Sequence, residues 1–541
     1  MIAFNKPMFL VFCMITSVAL LTLPVLPQDR STQAHSTNFN PAATAGNRKP
    51  ANSAAHPSAH SSAQSDKSSP GVHFLSYAQA SAVIQSFTDE LPAELKGRSA
   101  AEVERLWPQY VSRHDRETRE RLEQGEEDSL NNLVLFGTSF TSQPRLTAEF
   151  IEQQEKAQGS KGEQQIETGA AAGVSQENSD PVVRAFVGRV NDFIRALQSP
   201  GKNERLLYMR HFLERRGYLA TGPQQQQLRQ YLLANFQRTR QEFDKYQQVL
   251  ASARKSGDPS NEFAARSTLF QTRGVSLDTS LMPNFALEQA LGQLLEKGLL
   301  AKASVHRVAI IGPGLDFVDK QEGYDFYPQQ TIQPFLVMDS LFRLGLAHPS
   351  DLRMTTLDIS ARVNDHIAQA RARARNQQSY VMQLPLESPL PNNAQWSPAA
   401  LAYWKAAGMA IGNSVAPLAP PGEAGPLQLR AVKIAPQHVL RITPVDLDVV
   451  YQNLELAPGQ RFDLIIATNM FTYYGQFEQA LAMANLENMI RPGGFLLTNN
   501  GLPENVPVAL QQAGFSTTPY SDRPSDGDHI IWYRRAASDK Q

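Results

Sequence analysis

The sequence predicts an α/β fold in its C-terminal half, preceded by an all-α region, and three observations support this. From about residue 305 to the end, short apolar runs typical of buried strands alternate with amphipathic helical runs. The first apolar run, residues 305–311, breaks directly into the turn Gly312, Pro313 and Gly314. Residues 183–256 instead carry Leu, Phe, Tyr and Arg at helical spacing.

Composition limits both the architecture and the class of partner. The chain has 541 residues, 51 Lys plus Arg against 52 Asp plus Glu, and one Cys. This length predicts roughly two folded units plus tails. Near-neutral charge gives no reason to expect nucleic-acid binding. Cys13 alone permits neither an intramolecular disulfide nor a four-cysteine zinc site, and no other metal site is expected.

The N-terminus predicts a targeting segment and a tether. Residues 8–27 are apolar and long enough for a bilayer core, and Lys6 is the only charge before Asp29. Residues 1–29 are therefore expected to be a signal peptide or a membrane anchor, which makes the protein membrane-anchored or exported. Residues 30–73 are rich in Ser, Ala, Asn and Pro and predict a disordered low-complexity tether.

A helical region is expected over residues 74–270. Ser99 and Glu102 form a capping-box pattern, and a polar linker is expected near 153–180. Residues 74–182 hold 19 acidic and 10 basic residues, whereas 183–256 hold 5 acidic and 14 basic. The opposite charges favour packing of one part on the other over recruitment of an anionic partner.

The glycine turn after the first strand is typical of a nucleotide site. A side chain there would hold the backbone away from a ligand, and open α/β sheets bind ligands at the carboxyl ends of their strands. A dinucleotide fingerprint needs a further glycine where this chain has Phe317, which disfavours a nicotinamide or flavin cofactor. Asp358, after the second strand, has two acceptor oxygens for ribose hydroxyls; alternatively it caps the helix that begins near Ser360.

Two further strands and a long insertion follow. The third strand is expected at 439–442, before Asp446, Leu447 and Asp448, and the fourth at 462–468, before Asn469. About eighty residues separate Asp358 from the third strand, which predicts an insertion near 385–432. It is expected to form either a lid or acceptor pocket, or a surface excursion with a small aromatic core of its own.

The two segments "FDLIIATNMFTYY … LENMIRPGGFLLTN" resemble the fourth and fifth strands of class I S-adenosylmethionine-dependent methyltransferases. Within that superfamily, the sequence of these segments is most similar to the chemotaxis-receptor glutamate methyltransferases. The resemblance covers about residues 280–535 and includes a final reversed strand pair at 515–520 and 529–534. It implies, for residues 271–541, a Rossmann-like mixed seven-stranded sheet with helices on both faces and a terminal antiparallel hairpin.

The resemblance also implies a cofactor site for S-adenosyl-L-methionine. Its methionine part would lie against Gly312 and Gly314, with Asp316 near the amino group, and Asp358 would hold the ribose. The residues that would flank the adenine are Asp446, Leu447 and Asp448, and those that would face the methyl group and the acceptor are Asn469, Phe471, Tyr473 and Tyr474, with the tyrosines as catalytic candidates. Asp316 and Ile310 depart from the family, which usually has a third glycine and an acidic residue at those places.

The implied function is methyl transfer to an unidentified acceptor, either a small molecule or a protein side chain. The run Thr468, Asn469, Met470, Phe471 is not an Asn-Pro-Pro-aromatic motif, which favours an oxygen or carboxylate acceptor over an amide or adenine nitrogen. Because the methyl donor is cytosolic, an active enzyme is expected to face the cytosol. The alternative is a non-catalytic envelope interaction protein that uses a methyltransferase-like scaffold.

Overall fold

The computed structural model describes residues 71–147, 181–255, 281–316, 324–387, 394–424, 427–523 and 526–537, with isolated positions between 150 and 157 and between 274 and 279. The apolar segment 8–27, the tether up to residue 70, most of the polar linker 153–180, and Phe317 lie outside the described residues. Within the described part, no helix is both long and apolar enough to cross a membrane.

A helical region precedes the sheet, as predicted. Its described helices are α1 (Tyr77–Ser86), α2 (Ala100–Phe136), α3 (Pro181–Gln198), α4 (Glu204–Arg215) and α5 (Gln224–Lys255). Helix α2 spans 37 residues, and the predicted capping box at its start is confirmed, since Ser99 and Glu102 bond each other's backbone amides.

The C-terminal half contains the predicted Rossmann-like mixed seven-stranded sheet. Its strands, in spatial order, are β11 (Leu510–Pro519), β12 (Gly527–Arg535), β10 (Ile490–Thr498), β9 (Phe462–Ala467), β2 (Arg307–Ile311), β3 (Arg353–Asp358) and β7 (Ile442–Asp446). Strands β7, β3, β2, β9 and β10 are parallel, and the terminal hairpin β11–β12 joins β10 antiparallel.

Helices cover both faces of this sheet, and β2 shows why. Val308 and Ile310 point to one core and Ala309 and Ile311 to the other, as alternation along a strand requires. The first face is covered by α6 (Pro283–Glu296), α7 (Gln333–Arg343) and α8 (Ala361–Arg375). The second is covered by α11 (Gln476–Met489) together with α1 and the first half of α2.

The helical region therefore shares a core with the sheet. Trp107 of α2 is 1% exposed in the second core, and its indole N–H donates to the Leu75 carbonyl at 2.7 Å. The second half of α2 enters a third core with α3, α4 and α5. The expected boundary near residue 270 does not separate these hydrophobic cores.

Opposite charges hold α2 against the basic helices, as the charge pattern predicts. Arg216 pairs with Glu127, and Arg238 reaches Asp128 at 3.2 Å. These pairs are partly exposed, so each contributes about 1 kcal/mol or less. The buried apolar residues of the third core supply most of the stabilisation.

The insertion is a small three-stranded antiparallel sheet, in the order β4 (Tyr380–Glu387), β6 (Leu427–Ile434), β5 (Gly412–Val415), with helix α9 (Pro398–Ala406). It begins slightly before the predicted residue 385. Tyr403 and Trp404 of α9 are buried in the first core, where the Tyr403 ring lies 5.4 Å from that of Phe285. These aromatic residues pack the insertion onto the sheet's helices.

Three local expectations differ from the structure. Val439 ends the short helix α10 (Pro436–Val439), and the third strand begins only at Ile442, because Pro436 supplies a helix start. Gly493 and Gly494 follow Pro492 in a run that predicts a turn, but they lie inside β10, at an irregularity in its pairing with β9. The last tether residues, from Val72, form β1 (Val72–Phe74), which pairs with β8 (Gln452–Leu454).

Replacing the buried indole tests whether α2 belongs to the core of the sheet. We expect Trp107→Ala to lower the free energy of unfolding by about 3–5 kcal/mol, because it removes a buried aromatic ring and leaves a cavity. Urea denaturation measures this loss. Arg116→Ala, at an exposed position of the same helix, should change stability by less than about 0.5 kcal/mol. Equal effects of the two changes would contradict the shared core.

Candidate functional site

Parallel pairing brings the ends of the central strands to one edge of the sheet. Ile311 pairs with Leu357, Asp358 with Asp446, and Ile310 with Ile466. The residues that follow these strands therefore lie side by side. The glycine turn, Asp358, the segment 446–448 and Asn469 therefore all lie at this edge of the sheet.

The glycine turn has the conformation that requires glycine. Gly312 and Gly314 have φ angles of 61° and 63°, in the left-handed region. The Gly312 amide donates to the Leu357 carbonyl at 2.9 Å, which holds the turn against β3. A Cβ atom built on Gly312 would meet nothing within 4 Å. The space that a side chain would occupy is open, so close contact with a neighbouring residue is not the reason for a glycine at this position.

Asp316 is buried beside this turn. Its Oδ2 accepts from the Tyr327 hydroxyl at 2.7 Å and from the Gln330 side-chain amide at 3.0 Å. Among the described residues, its Oδ1 receives no hydrogen bond. Burial raises the pKa of Asp316 above its usual value, against the opposing effect of Arg205. The carboxyl therefore retains one acceptor oxygen for a further donor.

Asp358 is both a turn residue and a buried acid. Its Oδ1 accepts from the Ser360 amide at 2.8 Å, just ahead of α8, and the Gly314 amide also bonds its carboxyl. The N-terminal cap of α8 is Ser360, whose hydroxyl accepts from Val363 at 3.4 Å. Asp358 is thus not the cap itself. Burial raises its pKa to about 7.

The side chains of the three residues from the end of β7 onward differ in burial. Asp446 is exposed, whereas Leu447 is 1% exposed and its amide donates to the Asp358 carbonyl at 3.2 Å. Asp448 is buried, and its Oδ1 accepts from the Val450 amide at 2.9 Å. Within the described residues, its Oδ2 has no partner. Burial raises the pKa of Asp448 to about 7.

Asn469 ends β9 in a strained conformation, with φ at 58°. A reciprocal pair fixes it: the Asn469 amide donates to Asn499 Oδ1 at 2.8 Å, and Asn499 Nδ2 donates to Asn469 Oδ1 at 2.6 Å. The sequence signal for Asn499, missed by motif reasoning, is that Thr-Asn ends both β9 and β10. Strain of this kind costs about 1–3 kcal/mol and clusters at functional sites.

The two tyrosines after Asn469 occupy unlike environments. Tyr474 is 4% exposed and packs in the second core with Phe471, whereas Tyr473 is partly buried. Burial first, and then Asp448, raise the pKa of Tyr474 well above its usual value. Its hydroxyl keeps its proton at neutral pH and so can donate a hydrogen bond to an acceptor.

Three arginines of the helical region reach this edge, and no motif in the sequence points to them. Arg119 pairs with Asp446 at 2.7 Å, and Arg121 donates to the Tyr473 carbonyl at 2.9 Å. Arg205, fully buried, donates to the Asp316 carbonyl at 2.7 Å. Their contacts lie more than 100 residues away along the chain, so no local pattern identifies them.

This arrangement suits a cationic ligand that also carries hydroxyl groups. Buried carboxyls stand at or after the ends of three neighbouring strands at this edge, and Asp316 and Asp448 each retain an acceptor oxygen. Ionised carboxylates accept hydrogen bonds and attract positive charge, whereas they repel a phosphate. In the described residues, no group of three or more His, Cys, Asp or Glu is placed to hold a metal ion.

No protein-family model matches the chain, and no curated protein matches it. Among solved structures, the N-methyltransferase NodS from Bradyrhizobium japonicum WM9 is similar, at 13% identity over 46% of this chain and 96% of that chain, with a TM-score of 0.22. A TehB-like SAM-dependent methyltransferase from Corynebacterium glutamicum is 9% identical over 48% of this chain and 89% of that chain, with a TM-score of 0.22.

Magnesium protoporphyrin IX methyltransferase from Synechocystis PCC 6803, solved with bound SAM, is 10% identical over 47% of this chain and 79% of that chain, with a TM-score of 0.21. Similarity this weak assigns neither ligand nor acceptor to the present chain. None of these three is a chemotaxis-receptor glutamate methyltransferase, so the closer resemblance to that family finds no support.

The raised pKa of Asp358 predicts a pH-dependent stability. The native state holds the proton up to about pH 7, whereas the unfolded chain releases it near the ordinary value of 3.8. The resulting stabilisation is complete below about pH 4 and is lost as the pH rises to about 7. Asp358→Asn removes this dependence and keeps an acceptor for the Ser360 amide.

We expect the stability of Asp358→Asn relative to the natural protein to increase by roughly 2–4 kcal/mol between pH 4 and pH 8. Urea unfolding at several pH values measures this difference. The matched change Asp365→Asn, at an exposed position on α8, should show no such trend. A pH-independent difference for Asp358→Asn would mean that the native carboxyl is ionised throughout.

Proposed function

We propose that the chain is an S-adenosyl-L-methionine-dependent methyltransferase. The observation that carries this proposal is the set of buried carboxyls, Asp316, Asp358 and Asp448, at or after the ends of the neighbouring strands β2, β3 and β7. A ligand that combines an ammonium group, a sulfonium and ribose hydroxyls matches them in charge and in hydrogen-bonding type.

Each part of the cofactor has a suitable residue. Asp316, with its remaining acceptor oxygen, would hold the ammonium group, and Asp358 would accept from the ribose hydroxyls. Leu447 would provide an apolar contact for the adenine ring, and the unpartnered Oδ2 of Asp448 would accept from its amino group. Gly312 lets the backbone approach the ligand closely.

A nicotinamide or flavin dinucleotide fits the same edge poorly. Its pyrophosphate would have to lie at the turn, where a dinucleotide site offers backbone amides and a third glycine. Here the turn leads into the buried carboxyl of Asp316, whose Oδ1 faces no donor among the described residues. Two anionic groups in a poorly solvated site would repel each other strongly.

When bound, the cofactor supplies an activated methyl group whose leaving group needs no protonation. The chain's own residues then have to orient the acceptor and exclude water. The Asn469–Asn499 pair fixes the end of β9, and the protonated Tyr474 hydroxyl is suited to donate a hydrogen bond. We assign Tyr473 and Tyr474 to the acceptor side of the site in this orienting role.

The acceptor proposed is an oxygen nucleophile, such as a carboxylate, on a small molecule or a protein side chain. An ionised carboxylate needs no base, which agrees with a Tyr474 that cannot take up a proton. We further propose that residues 8–27 anchor the protein with this domain facing the cytosol, where the cofactor is made. The non-catalytic scaffold alternative provides no reason to bury three carboxyls at one edge of the sheet.

Calorimetric titration of S-adenosylhomocysteine into the purified full-length protein tests this function. We expect micromolar binding, and Asp358→Ala should weaken it by roughly 100-fold because two hydrogen bonds to an ionised group are lost. Asp365→Ala, at the exposed position on α8, should bind like the natural protein.

Titration with NAD under the same conditions should give no binding heat. Circular dichroism establishes that each variant is folded. Absence of S-adenosylhomocysteine binding by folded natural protein, or tight binding of NAD, would overturn the assignment.

A further inference from the structure

Helix α2 packs in two hydrophobic cores, and the segment between them crosses the carboxyl edge of the sheet. Its first half packs in the second core through residues such as Trp107 and Val111, and its second half enters the third core from Leu130 onward. The segment between them lies over the ends of β3 and β7. At its centre is Arg119, which the sequence did not single out.

The Arg119 guanidinium joins the ends of two neighbouring strands. Its Nη1 donates to Asp446 Oδ1 at 2.7 Å and to the Ile359 carbonyl at 3.1 Å. Its Nε donates to Asp115 Oδ1 at 3.1 Å, one turn earlier on α2, which fixes the side chain's direction. A single cation therefore cross-links the residues after β3 and β7 to the helical region.

These two strand ends are neighbours in the sheet and would form the two sides of the proposed nucleoside site. One side carries Asp358, and the other carries Leu447 and Asp448. A direct hydrogen bond between the sides runs from the Leu447 amide to the Asp358 carbonyl at 3.2 Å. Arg119 adds a second connection next to it. The separation of the ribose-facing and adenine-facing groups thus depends on where α2 holds Arg119.

A similar connection exists at the glycine-turn end of the site. Arg205 of α4 donates to the carbonyls of Asp316 and Tyr327. The Asp325 carboxylate accepts from the backbone amides of Thr138 and Ser139, directly after α2. The helical region therefore contacts both ends of the proposed cofactor site, which is what a structural part of that site would do.

We propose that Arg119 is a positioning residue for the nucleoside part of the cofactor, which makes the helical region an obligatory component of the binding site. This inference rests on the proposed function. Arg119 would act without touching the reacting atoms, by fixing the spacing between Asp358 and the segment 446–448 and by supplying positive charge beside the buried acids.

The charge of Arg119 gives this role an electrostatic signature. Asp358 faces Asp446, Arg119 and the amides of Ser360 and Gly314. Burial is the main cause of its raised pKa, and Arg119 opposes that rise. Without the cation, the pKa of Asp358 should rise further. Ribose binding needs the ionised carboxylate, so the pH dependence of ligand affinity should move to higher pH.

Asp448 should respond in the same direction. It faces Asp115, Glu478, Arg119 and the Val450 amide, and it also lies near Tyr474. Burial again dominates its raised pKa, and Arg119 again opposes the rise. A substitution that only loosened the packing of α2 would have no reason to move the pH profile in this direction.

The test compares three variants of the full-length protein, with S-adenosylhomocysteine as the probe and calorimetry from pH 6 to pH 9. Arg119→Met removes the cation and its hydrogen bonds, and Arg119→Lys keeps the charge but not the two-point contact. Arg116→Met removes the same charge from an exposed position of α2 and is the matched control.

We expect Arg119→Met to weaken binding at pH 7 by at least tenfold and to move the midpoint of the affinity profile upward by about half a pH unit or more. Arg119→Lys should keep the natural midpoint while binding more weakly than the natural protein. Arg116→Met should change neither quantity. The proposal would be overturned if Arg119→Met bound S-adenosylhomocysteine with the affinity of the unsubstituted protein and with the same midpoint of the pH profile.

Hydrogen exchange of the ligand-free protein separates this inference from the proposed function. Loss of the cross-link should speed exchange of the Leu447 and Ser360 amides, which bond Asp358, in Arg119→Met but not in Arg116→Met. If the natural protein binds no nucleoside, the proposed function fails, and unchanged exchange in Arg119→Met would then overturn the positioning role as well. Arg119→Lys serves in this comparison if Arg119→Met does not fold.

Discussion

Helix α2 packs into two hydrophobic cores, and this packing determines where the helical region meets the sheet. Trp107, near one end, belongs to the core beneath the sheet, and Phe136, at the other end, belongs to the core of the helical region. A continuous helix fixed at both ends cannot move independently at its centre. Its middle segment therefore holds Arg119 and Arg121 over the carboxyl edge, so that the helices and the sheet jointly form one site.

Several residues of the site destabilise the folded protein but are suited to bind a ligand. Asp358 and Asp448 are buried with raised pKa values, so in the ligand-free protein their ionised forms are poorly solvated. Asn469 adds a strained backbone angle. Polar groups held in this way usually destabilise a fold, and proteins retain them where function needs them. A ligand that presents positive charge and hydroxyl donors would offset the cost by satisfying the same oxygens.

Local patterns in the sequence were sufficient for the sheet and for the residues at its edge. The glycine turn and Asp358 follow buried strands, and parallel pairing alone brings such positions together. The third strand begins later than the sequence predicts, because Pro436 begins a helix in an apolar stretch that also suits a strand. Arg119 and Arg205 were missed because their partners lie far away along the chain, and an arginine on a charged helix usually faces solvent.

Buried, protonated carboxyls at the strand ends should ionise when a nucleoside ligand binds. Calorimetric titration of S-adenosylhomocysteine in two buffers of different ionisation enthalpy measures the protons released on binding. We expect release of about one proton or more at pH 6 and much less at pH 8, because Asp358 and Asp448 have pKa values of about 7. Binding without proton release at pH 6, or with proton uptake, would contradict it.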